Sequence, residues 1–341
     1  MCPVGPVETA NVQDTAGAPC VVAADVGGSS MKLAYATTDA RLHEWRSVPV
    51  GELQARGVVA GIVEELRHAV EAAPGSLRPR GIGLVVPGIL DEAAGVGRLA
   101  LLLGWRDAPF RQLVTEATGL PLGFGHDVGA GATAEGRLGA GRGHRDWIFL
   151  ALGTGLGSAF VLGGKPYRGW DGFGGELAHV VARPDGPLCR CGKHGCLEML
   201  ASGSAISARY TEAAGASAAV TAAEVVRRLR DGDPIAARVW TEAVEAVASV
   251  TAGCVESLNP SVVVVGGGVA QAGPLLMDPF RRRLLEQVRF ASPPEVLPAV
   301  LGANAGLYGA AILGLEAAKL GLRIGEQPAG RPTDPPLGAG V

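Results

Sequence analysis

Between Gly174 and Glu198 the chain reads GGELAHVVARPDGPLCRCGKHGCLE, and this stretch restricts the possible folds more than any other. It gathers His179, Cys189, Cys191 and Cys196, an imidazole and three thiols that suit a tetrahedral zinc ion with ligand distances of about 2.0–2.3 Å. Protein would fill every coordination position, which marks such an ion as structural rather than catalytic. Gly192 and Gly195 let the backbone turn tightly enough for thiolates on both sides to face one ion. Two plainer readings compete: ordinary thiols in a turn-rich loop beside a core histidine, or a disulfide. A disulfide needs an oxidising compartment, and Met1 to Cys20 has neither the basic start nor the apolar centre of a signal peptide, so a cytoplasmic protein is expected. Glu176 and Glu198 bracket the ligands. A loop pinned by zinc would hold these carboxylates toward one spot, an arrangement suited to a polyhydroxylated ligand.

With 341 residues the chain is long enough to divide into two lobes. Its formal net charge of −3 gives no case for nucleic acid or an anionic membrane surface, where a basic stripe is required. Glycines break the richest apolar stretches, such as Ile148 to Gly164, before they reach the roughly 18–20 residues of a membrane helix. Residues 1–19 and 323–341 are punctuated by proline and glycine without periodicity, and both are expected to be mobile ends.

Between those ends, three short apolar runs each stop in a glycine turn. Cys20 to Asp25 reads as a buried strand that ends in a carboxylate and runs into Gly27, Gly28, Ser29 and Lys32. Backbone N–H groups there could hold a phosphate while Asp25 serves its Mg²⁺, although a simple hairpin turn reads equally well. Trp147 to Gly157 is a second such run, in which Gly153, Gly155 and Gly157 permit close backbone approach and Thr154 adds a hydroxyl donor. Ser261 to Val265 is the third and ends in Gly266, Gly267 and Gly268. The strand Gly81 to Val86 runs into Pro87 and Gly88, a turn at the strand end where open α/β sheets place ligands. The spacing also predicts helices over 58–72, 128–138, 202–214, 222–230, 235–258 and 305–320. Asp127 falls where a strand gives way to a helix. By itself it reads as an N-cap that accepts a backbone N–H.

Taken together, these turns resemble the ROK family of sugar kinases and repressors, in the actin-like ATPase superfamily. DVGGSSMK, residues 25–32, resembles the family's D-x-G-G-T-x-x-K phosphate motif with Ser29 in place of threonine. LGTGLG, residues 152–157, is similar to its second phosphate motif. The segment from Gly174 to Glu198 resembles E-x-G-H followed by C-x-C-G-x-x-G-C-x-E, with Ala178 replacing glycine. The likeness spans residues 20–322.

What the resemblance implies is a two-lobed α/β fold of the actin-like (ribonuclease H-like) kind, with mixed central sheets and a cleft between the lobes. Residues 20–126 with 304–322 would form the small lobe, and 127–303 the large lobe with the zinc loop and the nucleotide site. Asp127 aligns with the catalytic aspartate, which would deprotonate a substrate hydroxyl as that oxygen attacks the γ-phosphoryl group of ATP. Asp25 would help place Mg²⁺. Glu176, His179 and Glu198 match sugar-contacting positions, His179 being a zinc ligand as well, and Gly266 to Gly268 would lie against the nucleoside. Two departures bear on the substrate: glucokinases of the family carry asparagine at the positions of His126 and Leu102. A buried group left without its partner typically costs about 1–3 kcal/mol, so plain glucose is expected to be handled poorly. The expected substrate is a sugar-like polyol with a primary hydroxyl, such as a C7 cyclitol of the valienone or valiolone type from antibiotic biosynthesis. The alternatives are a glucokinase or other hexose or N-acetylmannosamine kinase, and a sugar-binding regulator without catalysis. Polyphosphate is the alternative donor. The repressor branch is not expected, because the residues ahead of Asp25 are neither basic nor helically patterned. Family members imply a homo-dimer or homo-tetramer.

Overall fold

The structure, a computed structural model, describes residues 17–323; the expectations for 1–16 and 324–341 lie outside the described residues. The ends of the ordered fold differ slightly from expectation. Ala18 and Pro19 begin the first strand, paired with Leu77 and Arg78, and the N–H of Arg323 donates to the carbonyl of Thr38 at 2.6 Å. Backbone pairing, which composition does not reveal, fixes these residues.

The first half of the chain builds a five-stranded mixed sheet. Strands β1 (Ala18–Val26), β2 (Ser30–Thr37) and β3 (Leu42–Pro49) form an antiparallel meander. Helices α1 (Val50–Ala55) and α2 (Val58–Glu71) then cross to β4 (Leu77–Val86), which lies parallel to β1. A small antiparallel sheet of β5 (Ile89–Asp91), β6 (Val96–Ala100) and β7 (Trp105–Ala108) follows, then helix α3 (Phe110–Thr118) and the edge strand β8 (Leu122–His126). The order is β3-β2-β1-β4-β8. β1 is buried on both faces, as its unbroken apolar run requires. Cys20, Val22, Ala24 and Val26 face one core with Ile62 and Leu66 of α2, while Val21 and Ala23 face the other. Trp105 is core: its ring meets Phe110 edge to face at 5.3 Å.

Helix α4 (Asp127–Leu138) leads to a second sheet with the same plan. Strands β9 (Trp147–Leu152), β10 (Leu156–Leu162) and β11 (Lys165–Pro166) form the meander. Helices α5 (Glu198–Ala201), α6 (Gly203–Ala213), α7 (Ala222–Arg230) and α8 (Pro234–Leu258) precede β12 (Val262–Gly266), parallel to β9. Helix α9 (Pro274–Gln287) connects to the parallel edge strand β13 (Glu295–Pro298), giving the order β11-β10-β9-β12-β13. Ser202 caps α6 and Asp233, ahead of Pro234, caps α8 by accepting first-turn N–H groups.

The chain then returns: α10 (Ala305–Ala317) packs on β1, β4 and β8 of the first sheet and on α4. A methyl on Gly83 would fall 1.7 Å from the Ala310 carbonyl oxygen, so helix and sheet touch backbone to backbone there. Helix α4 lies between the two sheets. Ala130 joins the core under α10, and Ala132 joins Trp147 and Phe149 of the second sheet. Its run GAGATAEG is thereby explained, since only small side chains allow one helix to approach both sheets. Fully buried Glu135 of α4 accepts from the N–H groups of Ala140, Val300 and Leu301 at 2.8–3.2 Å, fixing the return segment. No helix among the described residues is long and apolar enough to cross a membrane.

Candidate active site

Asp127 is the first residue of α4, directly after β8, so its carboxylate stands at the N-terminus of the helix shared by both sheets. The N-cap is His126, without a side-chain capping bond; Asp127 Oδ1 accepts only from the adjacent Val128 N–H at 2.8 Å. The capping reading of Asp127 is therefore corrected. His126 Nδ1 lies 3.3 Å from Asp127 Oδ1, and both side chains are about a quarter exposed, at 24% and 28%.

Asp25, at the end of β1, faces Lys32 across the β1–β2 register. Its carboxylate reaches the first turn of α10, where a methyl on Gly306 would fall 2.7 Å from Oδ2. Burial first, and then the charge on Asp127, push the Asp25 carboxyl up to about 6, while Lys32 opposes the rise. The Lys32 ammonium donates to the Ala303 carbonyl, just before α10, so a phosphate would have to compete with that bond. The sign of the resulting stability effect is definite. A carboxyl raised from 3.8 to about 6 stabilises the fold below pH 3.8, and that contribution is lost as pH rises through about 6. Asp25→Asn is therefore expected to raise the stability of the metal-free protein at pH 7.5 by up to about 3 kcal/mol while depressing phosphoryl transfer. Denaturant melts at pH 4 and 7.5 check it: a gain confined to the higher pH supports the burial argument, and a loss at pH 7.5 refutes it.

In the turn of Gly27 to Ser29, Gly28 and Ser29 are exposed, and the turn is closed by a hydrogen bond from Gly27 N–H to Ser30 O at 2.9 Å. Leu102, expected beside the substrate, instead lies against this turn: a methyl on Gly28 would meet Leu102 Cδ2 at 2.8 Å. The tight β6–β7 connection turns Leu102 that way, which its apolar sequence context did not disclose.

Gly153 and Thr154 line a cavity of about 640 Å³ together with Gly203, Thr221, Trp240 and Gly268. First-turn N–H groups of α6 donate to this turn, Gly203 to Gly153 O at 2.8 Å and Ser204 to Thr154 O at 3.1 Å. The second and third glycine turns thus share one cavity. Gly266 ends β12, and Gly267 approaches Leu152, where a methyl would fall 2.4 Å from its carbonyl oxygen. Gly157 packs against Val128 of α4 rather than lining the cavity.

A second cleft of about 510 Å³ is bounded by Gly88, Glu92, His126, Arg168, Trp170 and Glu176. Glu176 is held by its neighbours: Ser158 Oγ donates to Gly175 O and accepts from Leu177 N–H at 3.2 Å, one residue on either side. Glu198 is placed differently. It accepts from Leu156 N–H at 3.4 Å and sits beside Gly155, so the two carboxylates expected to face one spot lie on separate features, cleft and phosphate turn. Glu92, Arg168 and the almost fully exposed Trp170 were not legible as site residues. The only hints are Glu92 soon after the Pro87–Gly88 turn and Trp170 inside the glycine-rich run RGWDGFGG.

The ligand atoms of His179, Cys189, Cys191 and Cys196 all lie within 4.8 Å of one another. The sulfurs of Cys191 and Cys196 are 3.5 Å apart, and His179 Nδ1 is 3.6 Å from Cys189 Sγ. A tetrahedron with zinc bonds of about 2.0–2.3 Å has edges of roughly 3.5–3.8 Å, so the donor set fits zinc. Burial, followed by the neighbouring thiols, pushes the Cys196 thiol up to about 12; a bound cation would favour the thiolate instead. Gly195 is obligatory, with φ +66° and a hypothetical methyl 1.4 Å from Arg183 O. Lys193 closes the loop by donating to the His179 carbonyl at 2.6 Å.

A sequence model of the ROK family matches residues 21–317. The chain is similar to a glucokinase from Thermotoga maritima, 31% identical over 309 residues that cover 85% of this chain and 96% of the relative. It is equally similar to a kanosamine kinase from Amycolatopsis mediterranei, 31% identical over 315 residues, covering 89% and 98% of the two chains. Among solved structures, a ROK hexokinase from Thermus thermophilus superposes with a TM-score of 0.73 at 36% identity, covering 88% of this chain and 99% of the other. A ROK family glucokinase from Streptomyces griseus in complex with glucose and AMPPNP gives 0.76 at 30% identity, covering 87% and 99%.

Proposed function

The chain belongs to the ROK family, and on that premise we propose that it transfers the γ-phosphoryl group of ATP to the primary hydroxyl of a cyclic polyol, using Asp127 as the base. As a glucokinase-like ROK sugar kinase it is a phosphotransferase with an alcohol group as acceptor, and its two mixed sheets form the actin-like ATPase fold. The observation that carries the assignment of the base is the position of Asp127, on the helix between the sheets, beside His126 of the cleft and in the field of Asp25.

In this reading the cleft at Gly88, His126 and Glu176 takes the polyol, with His179 as a further contact; Glu198 stands at the phosphate turn beside Gly155, and the cavity at Thr154 and Gly268 takes the nucleotide. Gly27 to Ser29 and Gly153 to Gly155 approach the phosphates from the two sheets. The lobe boundary runs between His126 and Asp127, and residues 304–322 return to the first lobe. Asp127 takes the hydroxyl proton as the oxygen forms its bond to the γ-phosphorus; the bond to the β-phosphate oxygen breaks and ADP leaves. Mg²⁺, when bound, supplies charge neutralisation at the phosphates, and Asp25 is the carboxylate placed to hold it directly or through water. Zinc would be structural, held by His179 and the three thiols.

The finer reading is a C7 cyclitol rather than plain glucose, and it rests on His126. At the cleft, an imidazole stands where family glucokinases carry an amide with both donor and acceptor. Leu102 adds less than its sequence position implied, because it lies against Gly28. A hexose or amino-hexose acceptor is the second reading, favoured by the similarity to the glucokinase and the kanosamine kinase. Rates of ADP release with glucose, kanosamine, N-acetylmannosamine and valienone- or valiolone-type cyclitols separate the two. The cyclitol is expected to exceed glucose in kcat/KM by about 5- to 150-fold, the equivalent of one unpaired buried group. Efficient turnover of sub-millimolar glucose sinks the finer reading and leaves the kinase intact.

A further inference from the structure

We propose that Glu92 and Arg168 form a latch across the cleft that positions Asp127, an inference that rests on the kinase reading above. Neither residue belongs to a motif described from the sequence. β8 is the edge strand of the first sheet, so the outward N–H of His126 has no strand partner. Glu92 Oε1 accepts that N–H at 2.9 Å. The same oxygen forms an ion pair with Arg168, 2.9 Å from Nη2, and Arg168 belongs to the segment after β11 of the second sheet. The guanidinium extends over the first turn of α4, where a methyl on Gly129 would fall 2.2 Å from Nη1. Gly129 leaves the room that the arginine fills. One carboxylate oxygen thus joins the turn after β5, the β8–α4 junction and the cleft segment of the second sheet.

The junction so held is the one that carries the base, since Asp127 follows His126 directly. The ion pair itself adds little stability, because the two side chains are 35% and 32% exposed and solvent screens them. Its effect is geometric. A base displaced by about 1 Å can cost about 100-fold in rate, so a latch that restrains the junction acts on kcat. Glu92 and Arg168 are positioning residues in this account, acting through His126.

A double-mutant cycle of Glu92→Gln and Arg168→Gln tests it. The Glu92→Gln side chain keeps a carbonyl for the His126 N–H but loses the charge that pairs with Arg168. Each single substitution is expected to lower kcat about 10-fold with the acceptor KM within about twofold, and the double to be no worse than the poorer single. Arg168→Lys should recover most of the rate. Additive losses, unchanged kcat, or a raised KM alone would overturn the latch, the last assigning the pair to substrate binding. Amide exchange at His126 provides a readout without turnover: Arg168→Gln should accelerate it about tenfold while leaving β4 protected. Unchanged protection at His126 overturns the latch even in an active enzyme. A wild-type protein that phosphorylates no acceptor in the panel refutes the kinase reading, and the exchange result then still decides the latch.

Discussion

Asp127→Asn is expected to lower kcat by about 10²–10⁴-fold, the range supplied by a positioned general base, with little change in the acceptor KM. The substitution is close to isosteric. Its amide oxygen can still accept the Val128 N–H that Asp127 accepts at 2.8 Å, and α4 keeps the same N-terminal geometry. What disappears is the negative charge and the proton acceptor. The fold should not suffer, because that charge currently helps to push the neighbouring Asp25 upward. A coupled assay for ADP, with thermal melts run in parallel, measures both halves of the expectation. Retention of more than about a tenth of wild-type turnover in the folded variant would remove Asp127 from the role of base.

The second large effect is expected at the metal loop. Cys196→Ala, or exhaustive chelation, should abolish one equivalent of bound zinc, raise the acceptor KM at least about tenfold and loosen residues 179–197. Structural zinc in small peptides contributes about 10–16 kcal/mol of apparent binding free energy, comparable with the whole stability of a domain. Here the damage should stay local. Beyond the hydrogen bonds within the loop, Arg183 ties it to Glu242 of α8 at 3.3 Å, and Glu242 also pairs with Arg209 of α6. Glu176 precedes His179 by one short turn, so freeing the histidine frees the cleft carboxylate as well. Metal analysis, limited proteolysis and KM measured on the same samples check the chain of cause. A metal-free protein with unaltered KM and unaltered proteolytic pattern would detach the loop from substrate binding.

Where sequence reading succeeded and failed follows the range of the interactions involved. The glycine turns after β1, β9 and β12 were visible because a turn is decided by adjacent residues. The thiol cluster was visible for the same reason, its three cysteines falling within eight positions. Leu102 was misplaced because a hairpin connection, rather than the composition around it, aims its side chain at Gly28. Glu198 was grouped with Glu176 through shared neighbours in sequence, yet packing sends it to the Gly155–Leu156 turn. Glu92 and Arg168 are separated by more than seventy residues, and no spacing rule connects them. The common strand order of the two sheets also escaped notice. Parallel neighbours such as β1 and β4 are joined through crossovers, and their pairing leaves no periodic trace in a single sequence.

The sequence by itself determined the parts that local chemistry governs: the strand-to-glycine turns, the small-residue helix after Asp127, the zinc-type donor set and, through their motifs, the family. Tertiary structure decided where these parts meet. It set Asp127 within the electrostatic reach of Asp25, brought Thr154 and Gly268 to one cavity, and carried Arg168 across the cleft to Glu92. The physical reason is the packing of α4. One helix of glycine and alanine, narrow enough to touch both sheets, brings two distant halves of the chain within hydrogen-bonding distance, and only the folded core fixes which side chains then face each other.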